Sequence, residues 1–333
     1  MKKYVSLLLF ALLLNGCDDG DLTVETIDFD EVTSTSCDPL TNTLIYKLKP
    51  QESLLLNMPA NEILNEPTVV GGDTLTYIID NNKYRVVYRA YDGTVANENI
   101  CGAIPPKTPN VTEEWFASGG TIQIVTKQVD KTPAPADGHT EIVGYNHSIV
   151  FKNITFEKPS GPQVEKEYIF GDYLTSVDPV VVSFLEPGNA KYCSDFKKVY
   201  NNNTSNSLVI ENFDSANLFK NEDTLPGQAR TGLINSTATT NNLYYRTYTT
   251  NLPTPTQGYY CQEKTPTSPI VKDTWVGVAG VTNVSGIIEV TTTSVNKVFT
   301  HKVVLKNVTL QKDNSSFKLA TEFLLGDVTV IAP

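Results

Sequence analysis

The chain repeats itself, and that repeat limits what it can fold into more than any other feature. Cys101 and Cys261 lie 160 residues apart, as do Trp115 and Trp275, within the strings Val111-Thr-Glu-Glu-Trp115 and Val271-Lys-Asp-Thr-Trp275. Cys37 and Cys193 are 156 apart. Tyr88-Arg89-Ala90-Tyr91 answers Tyr245-Arg246-Thr247-Tyr248, and Ser53-Leu54-Leu55-Leu56 answers Ser207-Leu208-Val209-Ile210. Further on, His147-Ser-Ile-Val-Phe-Lys-Asn-Ile-Thr-Phe156 answers His301-Lys-Val-Val-Leu-Lys-Asn-Val-Thr-Leu310, and Phe170-Gly171-Asp172 answers Leu325-Gly326-Asp327. The matches are collinear, with offsets from 154 to 160, the drift expected where loops differ in length. The expectation is one unit duplicated, with units at 25–178 and 179–333 and the boundary near 176–186. Units of about 150 residues are long enough to bury their own cores.

Within each unit the local pattern is that of strands. Tyr84–Tyr91, Thr121–Val129, Ser148–Phe156, Gly286–Thr293 and Lys302–Leu310 alternate apolar with polar residues and are rich in Val, Ile, Thr and Tyr, the pattern of half-buried β-structure. Lys152-Asn153 and Lys306-Asn307 interrupt the alternation at the same place in both repeats, which predicts a β-bulge or a change of facing. Turn-forming strings lie between, among them Asn81-Asn82, Asp92-Gly93, Gly119-Gly120 and Asp313-Asn314. Only Glu52–Asn65 and Asn212–Glu222 read as short helices. Seven or eight strands per unit predict an all-β fold of two tandem β-sandwich domains.

The first residues carry an address. Met1-Lys2-Lys3 is a positive n-region, and Val5 to Leu14 is an apolar run too short to span a bilayer, so 1–16 reads as a signal peptide. It ends in Leu14-Asn15-Gly16-Cys17, which resembles the lipobox of bacterial lipoproteins in Leu14, Gly16 and Cys17 and departs from it at Asn15. The resemblance implies cleavage before Cys17, lipidation of its thiol, and a membrane anchor. Two or three acyl chains would hold permanently, since each buried CH₂ contributes about 0.8 kcal/mol. The acidic tether at 17–24, with Asp18, Asp19 and Asp21, resembles both an enterobacterial inner-membrane retention signal and a Bacteroidetes surface-export signal. The whole N-terminal string looks like uncharacterised flavobacterial surface lipoproteins, which implies an outer-membrane, cell-surface location.

Five cysteines then divide into one lipidation site and two per repeat. In an oxidising compartment the expected disulfides are Cys37 with Cys101 and Cys193 with Cys261. Metal ligation is disfavoured, because no cysteine has a close Cys or His partner at zinc spacing.

For chemistry the sequence offers little. With 26 basic against 37 acidic side chains and a net charge of −11, no basic face for nucleic acid is expected. A content of 40% hydrophobic and 19% charged residues fits neither a disordered chain nor a helical membrane bundle. No nucleophile elbow, zincin helix, phosphate loop or dinucleotide fingerprint is present, and no cofactor is implied. Of three histidines, His147 and His301 share one repeat position at the start of a strand and suggest a structural hydrogen bond or a shared surface feature, while His139 sits in a Pro/Gly/Asp loop with no counterpart. Trp115 and Trp275 invite two readings, a sugar-stacking platform or a core plug, and Tyr259 and Tyr260 are candidates for a surface special to the second unit. Asp28, Asp30 and Glu31 form an acidic run too sparse for a calcium loop. Asp73-Thr74-Leu75, Asp214-Ser215-Ala216 and Asp223-Thr224-Leu225 resemble the O-glycosylation acceptor of the Bacteroidetes group, which marks Thr74, Ser215 and Thr224. The expectation is a binding or structural module, for a glycan or an envelope protein. The alternative is an extracytoplasmic hydrolase, such as a glycan-degrading one, working through carboxylates that the sequence does not single out.

Overall fold

Alternation of β-branched and aromatic residues with polar ones does produce strands in both halves of the described chain. The computed structural model describes residues 26–69, 71–72, 74–236 and 239–331; the stretch 1–16 read as a signal peptide, Cys17, the stretch 17–24 read as a tether, and Asp73 lie outside them. The first half contains β1 (Thr35–Ser36), β2 (Leu44–Lys49), β3 (Glu52–Asn57), β4 (Leu75–Ile78), β5 (Arg85–Tyr91), β6 (Val111–Asp130), β7 (Ile142–Lys158) and β8 (Gly161–Ser176). They form an antiparallel sheet in the order β1-β2-β3-β5-β6-β7-β8, with β4 also on β6.

The long strand β6 has two sets of partners. Its first residues pair with β5 and with the end of β7, through Tyr88↔Trp115 and Ala117↔Phe156, whereas Thr121 onward pairs with β4 and the start of β7. The register shifts on both sides of Gly119. Gly120 has φ +111°, and a Cβ there would sit 2.8 Å from the Asn153 carbonyl oxygen on β7. Asn153 itself is left-handed, φ 51°. Only glycine fits such an approach, so at this point the strand bends out of one layer into the next. This is the interruption expected at Lys152-Asn153.

The second half contains β9 (Lys191–Cys193), β10 (Lys198–Asn202), β11 (Asn206–Glu211), β12 (Arg230–Leu233), β13 (Asn242–Tyr248), β14 (Val271–Gly277), β15 (Ile287–Val295), β16 (Val298–Lys306), β17 (Thr309–Lys312), β18 (Ser315–Lys318) and β19 (Glu322–Ile331). Here the layers are separate sheets, β18-β17-β14-β13-β11-β10-β9 and β12-β15-β16-β19. The chain breaks where the first half bends: β14 and β15 are parted by residues 278–286, and β16 from β17 at left-handed Asn307, φ 49°. The pairing Leu208↔Tyr245↔Trp275 occupies the place of Leu54↔Tyr88↔Trp115.

Each half has a large apolar cluster. One joins Leu54, Leu56, Ile122, Ile149, Phe151 and Trp115; the other joins Leu208, Leu243 and Tyr245 from the seven-stranded sheet with Ile288, Val290 and Val303 from the four-stranded one, so the sheets meet face to face. Fully burying one such Leu, Ile or Phe contributes about 1.5–3 kcal/mol. Both disulfides form as expected, Cys37–Cys101 with Cα atoms 5.3 Å apart and Cys193–Cys261 with 5.2 Å. The helix expected over Glu52–Asn65 is corrected: Glu52–Asn57 is β3, because Leu54 to Leu56 are held between β2 and β5 and all three are buried. Over Asn212–Glu222 only the turn Ser215–Leu218 is helical.

Candidate functional site

The connection between β6 and β7, residues 131–141, contains two prolines, an Asp-Gly pair and His139. Residues of this kind favour a loop over continued strand, and the loop lands on the second half. Its base closes through Lys131 N–H to the Glu141 carbonyl, 2.8 Å. From there Thr140 N–H donates to the Lys318 carbonyl (3.1 Å), and Thr321 N–H to the Asp137 carbonyl (2.8 Å). Lys318 N–H in turn donates to Thr140 Oγ1, 2.8 Å. Beside it, Gln128 uses its side-chain amide as a strand would, accepting from Ser316 N–H (3.0 Å) and donating to the Ser316 carbonyl (2.8 Å). Tyr145 OH meets Ser315 Oγ at 2.9 Å in a buried contact. The open edge of β18 is thereby covered by the first half, which satisfies backbone groups that would otherwise be left to solvent or to another chain.

Against this seam lies a cleft of about 170 Å³. Val180, Val181 and Val182 from the connecting segment form one wall, and Phe317, Leu319 and Phe323 form the other. Phe317 stands edge-on to Trp275, 5.0 Å between centroids, so the cleft floor rests on the second core. Tyr245 OH donates to the Val181 carbonyl, 3.2 Å, fixing the valine wall. Polar groups gather at the rim, where His139 Nδ1 is 2.5 Å from Asp137 Oδ1 and Nε2 is 3.0 Å from Glu141 Oε1. Glu141 Oε2 also takes Lys131 Nζ at 2.9 Å. Hydrogen bonds donated to Glu141 and then to Asp137 hold the imidazole above its ordinary pKa. The His139 N–H and ring lower Asp137, and Lys131 followed by His139 lowers Glu141. An apolar floor with a few convergent polar groups is the usual character of a binding cleft.

The residues singled out from the sequence lie elsewhere. Trp115 is 3% exposed, packed on Tyr88 at 4.4 Å with the Lys158 ammonium 3.9 Å over its ring; Trp275 is 6% exposed. Tyr259 and Tyr260 are buried around the Cys193–Cys261 bridge, Tyr260 against Tyr200 at 4.3 Å and hydrogen-bonded to Tyr248 OH at 3.0 Å. Burial pushes the Tyr259 hydroxyl up to about 12 and raises Tyr260 as well. All four therefore serve the core, and none offers a ring face to a sugar. Among the described residues the large apolar side chains that are exposed are all Leu, Ile or Val. Ser215 opens the helical turn capped by Asp214, and Thr74 is half-buried. Thr224 is engaged in the sheet, its Oγ1 accepting from Thr292 N–H at 3.0 Å. No group of three His, Cys, Asp or Glu side chains arranged for a metal occurs among the described residues.

His147 and His301 are wholly buried and each meets a cross-strand threonine through Nδ1, Thr126 and Thr292 respectively, both at 2.9 Å. Thr175 donates to Asn65 Oδ1 (2.6 Å), so it accepts from His147 Nε2 at 3.1 Å; this assigns the proton to Nε2 and makes Nδ1 the acceptor. In the second half Arg230 donates to Thr292 Oγ1 (2.7 Å), whose hydroxyl then serves His301 Nδ1, while the ring lies flat on Phe219 at 4.4 Å. Burial depresses both imidazoles to about 4. Burial therefore bears out the structural hydrogen bond expected of their shared position and excludes the surface feature.

Sequence reasoning passed over the seam itself. Its one available signal was length, since 131–141 answers a two-residue turn, Asn296-Lys297, between β15 and β16. No protein-family model matches the chain, no curated protein matches it, and no solved structure matches its fold.

Proposed function

We propose that this protein is a lipoprotein anchored through Cys17 in the outer membrane, displayed at the cell surface, and acting as a binding module. In this reading two β-sandwich units descend from one by duplication, and the seam between them presents the ligand site. The observation that carries the binding role is the cleft: apolar walls, a floor backed by Phe317 and Trp275, and a rim of Asp137, His139 and Glu141. A cavity of about 170 Å³ suits one apolar side chain or small ring. Burial of Trp115, Trp275, Tyr259 and Tyr260 withdraws support from a sugar platform, so an envelope protein that presents an apolar side chain flanked by hydrogen-bonding groups is the partner favoured here. Support for the duplication comes from the repeated pairings, the two disulfides and the paired histidines. Support for the anchor comes from Leu14, Gly16 and Cys17.

The anchor is tested by intact mass of the membrane-extracted protein with and without reduction, alongside protease shaving of whole cells. Cleavage before Cys17 with added acyl chains, and loss of the protein on shaving, are the expected results; an unacylated chain protected in intact cells would overturn them. The cleft is tested by titrating the chain with indole and following amide resonances. Shifts centred on Val181, Phe317 and Leu319 are expected, and an unresponsive cleft would remove it as the site.

A further inference from the structure

The rim of the cleft contains a charge state that its geometry alone dictates. Both ring nitrogens of His139 face carboxylate oxygens, at 2.5 Å to Asp137 and 3.0 Å to Glu141. A neutral imidazole has one N–H and one lone pair, so it can serve only one of two acceptors; two carboxylates require two donors, and the bridged ring is an imidazolium. The same loop supplies the bonds that hold the seam, through the Asp137 carbonyl to Thr321 N–H and through Thr140 to both backbone groups of Lys318. Gly138, φ +84°, lies so close to Thr321 that a Cβ would come within 2.5 Å of its hydroxyl. The loop therefore has little room to rearrange while it stays seated.

We propose that the Asp137–His139–Glu141 bridge is a proton-controlled latch: the imidazolium keeps loop 131–141 seated on residues 318–321, and loss of its proton loosens that edge of the seam. On deprotonation one ring nitrogen turns from donor to acceptor, and the carboxylate facing it must turn away. Glu141 retains Lys131, and Asp137 retains the His139 N–H at 3.2 Å, so the loop loses its cross-link rather than its fold. The other charged group at the cleft is Lys318 on β18; Val180, Val181, Val182, Leu319, Ala320 and Phe323 bring none. The two carboxylates favour the protonated ring, so its contribution is complete below the ordinary histidine value of about 6.5 and is lost as pH rises through the higher folded value. The latch is a property of the seam and stands whether or not the cleft takes a ligand.

The test uses the full chain and its three histidines. NMR of the imidazole protons over pH 4–9 should show one ring titrating above about 6.5, assigned to His139 by its loss in His139→Gln, with the two buried rings near 4. Hydrogen exchange of the Thr140, Lys318 and Thr321 amides, corrected for intrinsic rate, should lose protection several-fold as that ring deprotonates. In His139→Gln the same amides should be insensitive to pH, and Asp137→Asn should lower the midpoint of His139. A His139 midpoint at or below the ordinary value, seam protection that is flat across it, or pH dependence that survives in His139→Gln would each overturn the latch.

Discussion

The two halves solve the same packing problem in different ways. In the first, β6 and β7 run unbroken through both layers and bend where Gly120 lies against Asn153; in the second, the same path is cut by residues 278–286 and at Asn307. Continuous strands need a glycine at the corner, and the loop that replaces the corner in the second half needs glycines as well, since Gly286 has φ +63° and a Cβ there would lie 2.5 Å from Gly280 Cα. The halves differ again at their edges. Glu157↔Pro162 in the first half stands where Gln311↔Ser316 stands in the second. Proline has no N–H to offer an incoming strand at that position, whereas Ser316 keeps its N–H and gives it to Gln128. With only Asn296-Lys297 in place of the docking loop, the second half lacks the part that would seat it on a further unit. The comparison teaches that the β18 edge is covered by a loop and a side chain of the first half, whereas the β8 edge is interrupted by a proline.

Four experiments would break or sharpen this comparison. The largest effect should come from Trp115→Ala and Trp275→Ala, each costing about 3–5 kcal/mol as a large buried ring is lost, read from urea melts. Only Trp275→Ala should also weaken exchange protection at the seam, because Phe317 leans on Trp275; equal seam effects would undo the distinction. Removing either disulfide should cost roughly 4 kcal/mol by loop entropy, given separations of 64 and 68 residues. Under limiting dithiol reductant Cys37–Cys101 should open first, since Cys101 is exposed whereas Cys193 is buried among tyrosines; mass mapping of alkylated thiols decides the order.

Acidification should then act on the interiors. His147 and His301 sit near 4 when folded against about 6.5 when unfolded. The unfolded chain binds more protons across that window, so stability is full above about 6.5 and falls toward pH 4, by up to about 1.4 kcal/mol per pH unit for each ring. The sign is opposite to that of His139. The halves part company in His147→Leu, which strands the Thr126 hydroxyl although Thr175 keeps Asn65, and should cost about 1–3 kcal/mol more than His301→Leu, whose Thr292 keeps Arg230. The smallest effect is expected from Gln128→Ala, about 1–2 kcal/mol for two lost bonds to Ser316, with concentration-dependent self-association in ultracentrifugation as the β18 edge is uncovered; Pro162→Ala, which restores an N–H to the β8 edge, should show the self-association without the loss of stability.

Much of the frame was legible in the sequence because the signals are local or collinear. Strand alternation around Val303 and Leu305, the interruption at Lys152-Asn153 and Lys306-Asn307, and the pairing of Cys37 with Cys101 and Cys193 with Cys261 all repeat along the chain. Glu52–Asn65 misled because a short apolar run reads equally as helix or buried strand. The candidate site was nearly invisible, since His139 has no counterpart and looks like an ordinary loop histidine.

By itself the sequence determined the all-β class, the disulfide pairs and the matched positions of the two histidines, since each follows from short-range periodicity or from comparing one repeat with the other. Tertiary structure decided which face of each strand is covered, and so turned Trp115, Trp275, Tyr259 and Tyr260 into core. It also decided the seam, where Thr140 meets Lys318 across 178 residues and Gln128 meets Ser316 across 188. No local pattern encodes such contacts, because a loop residue gains its role only when a distant strand edge is brought to meet it.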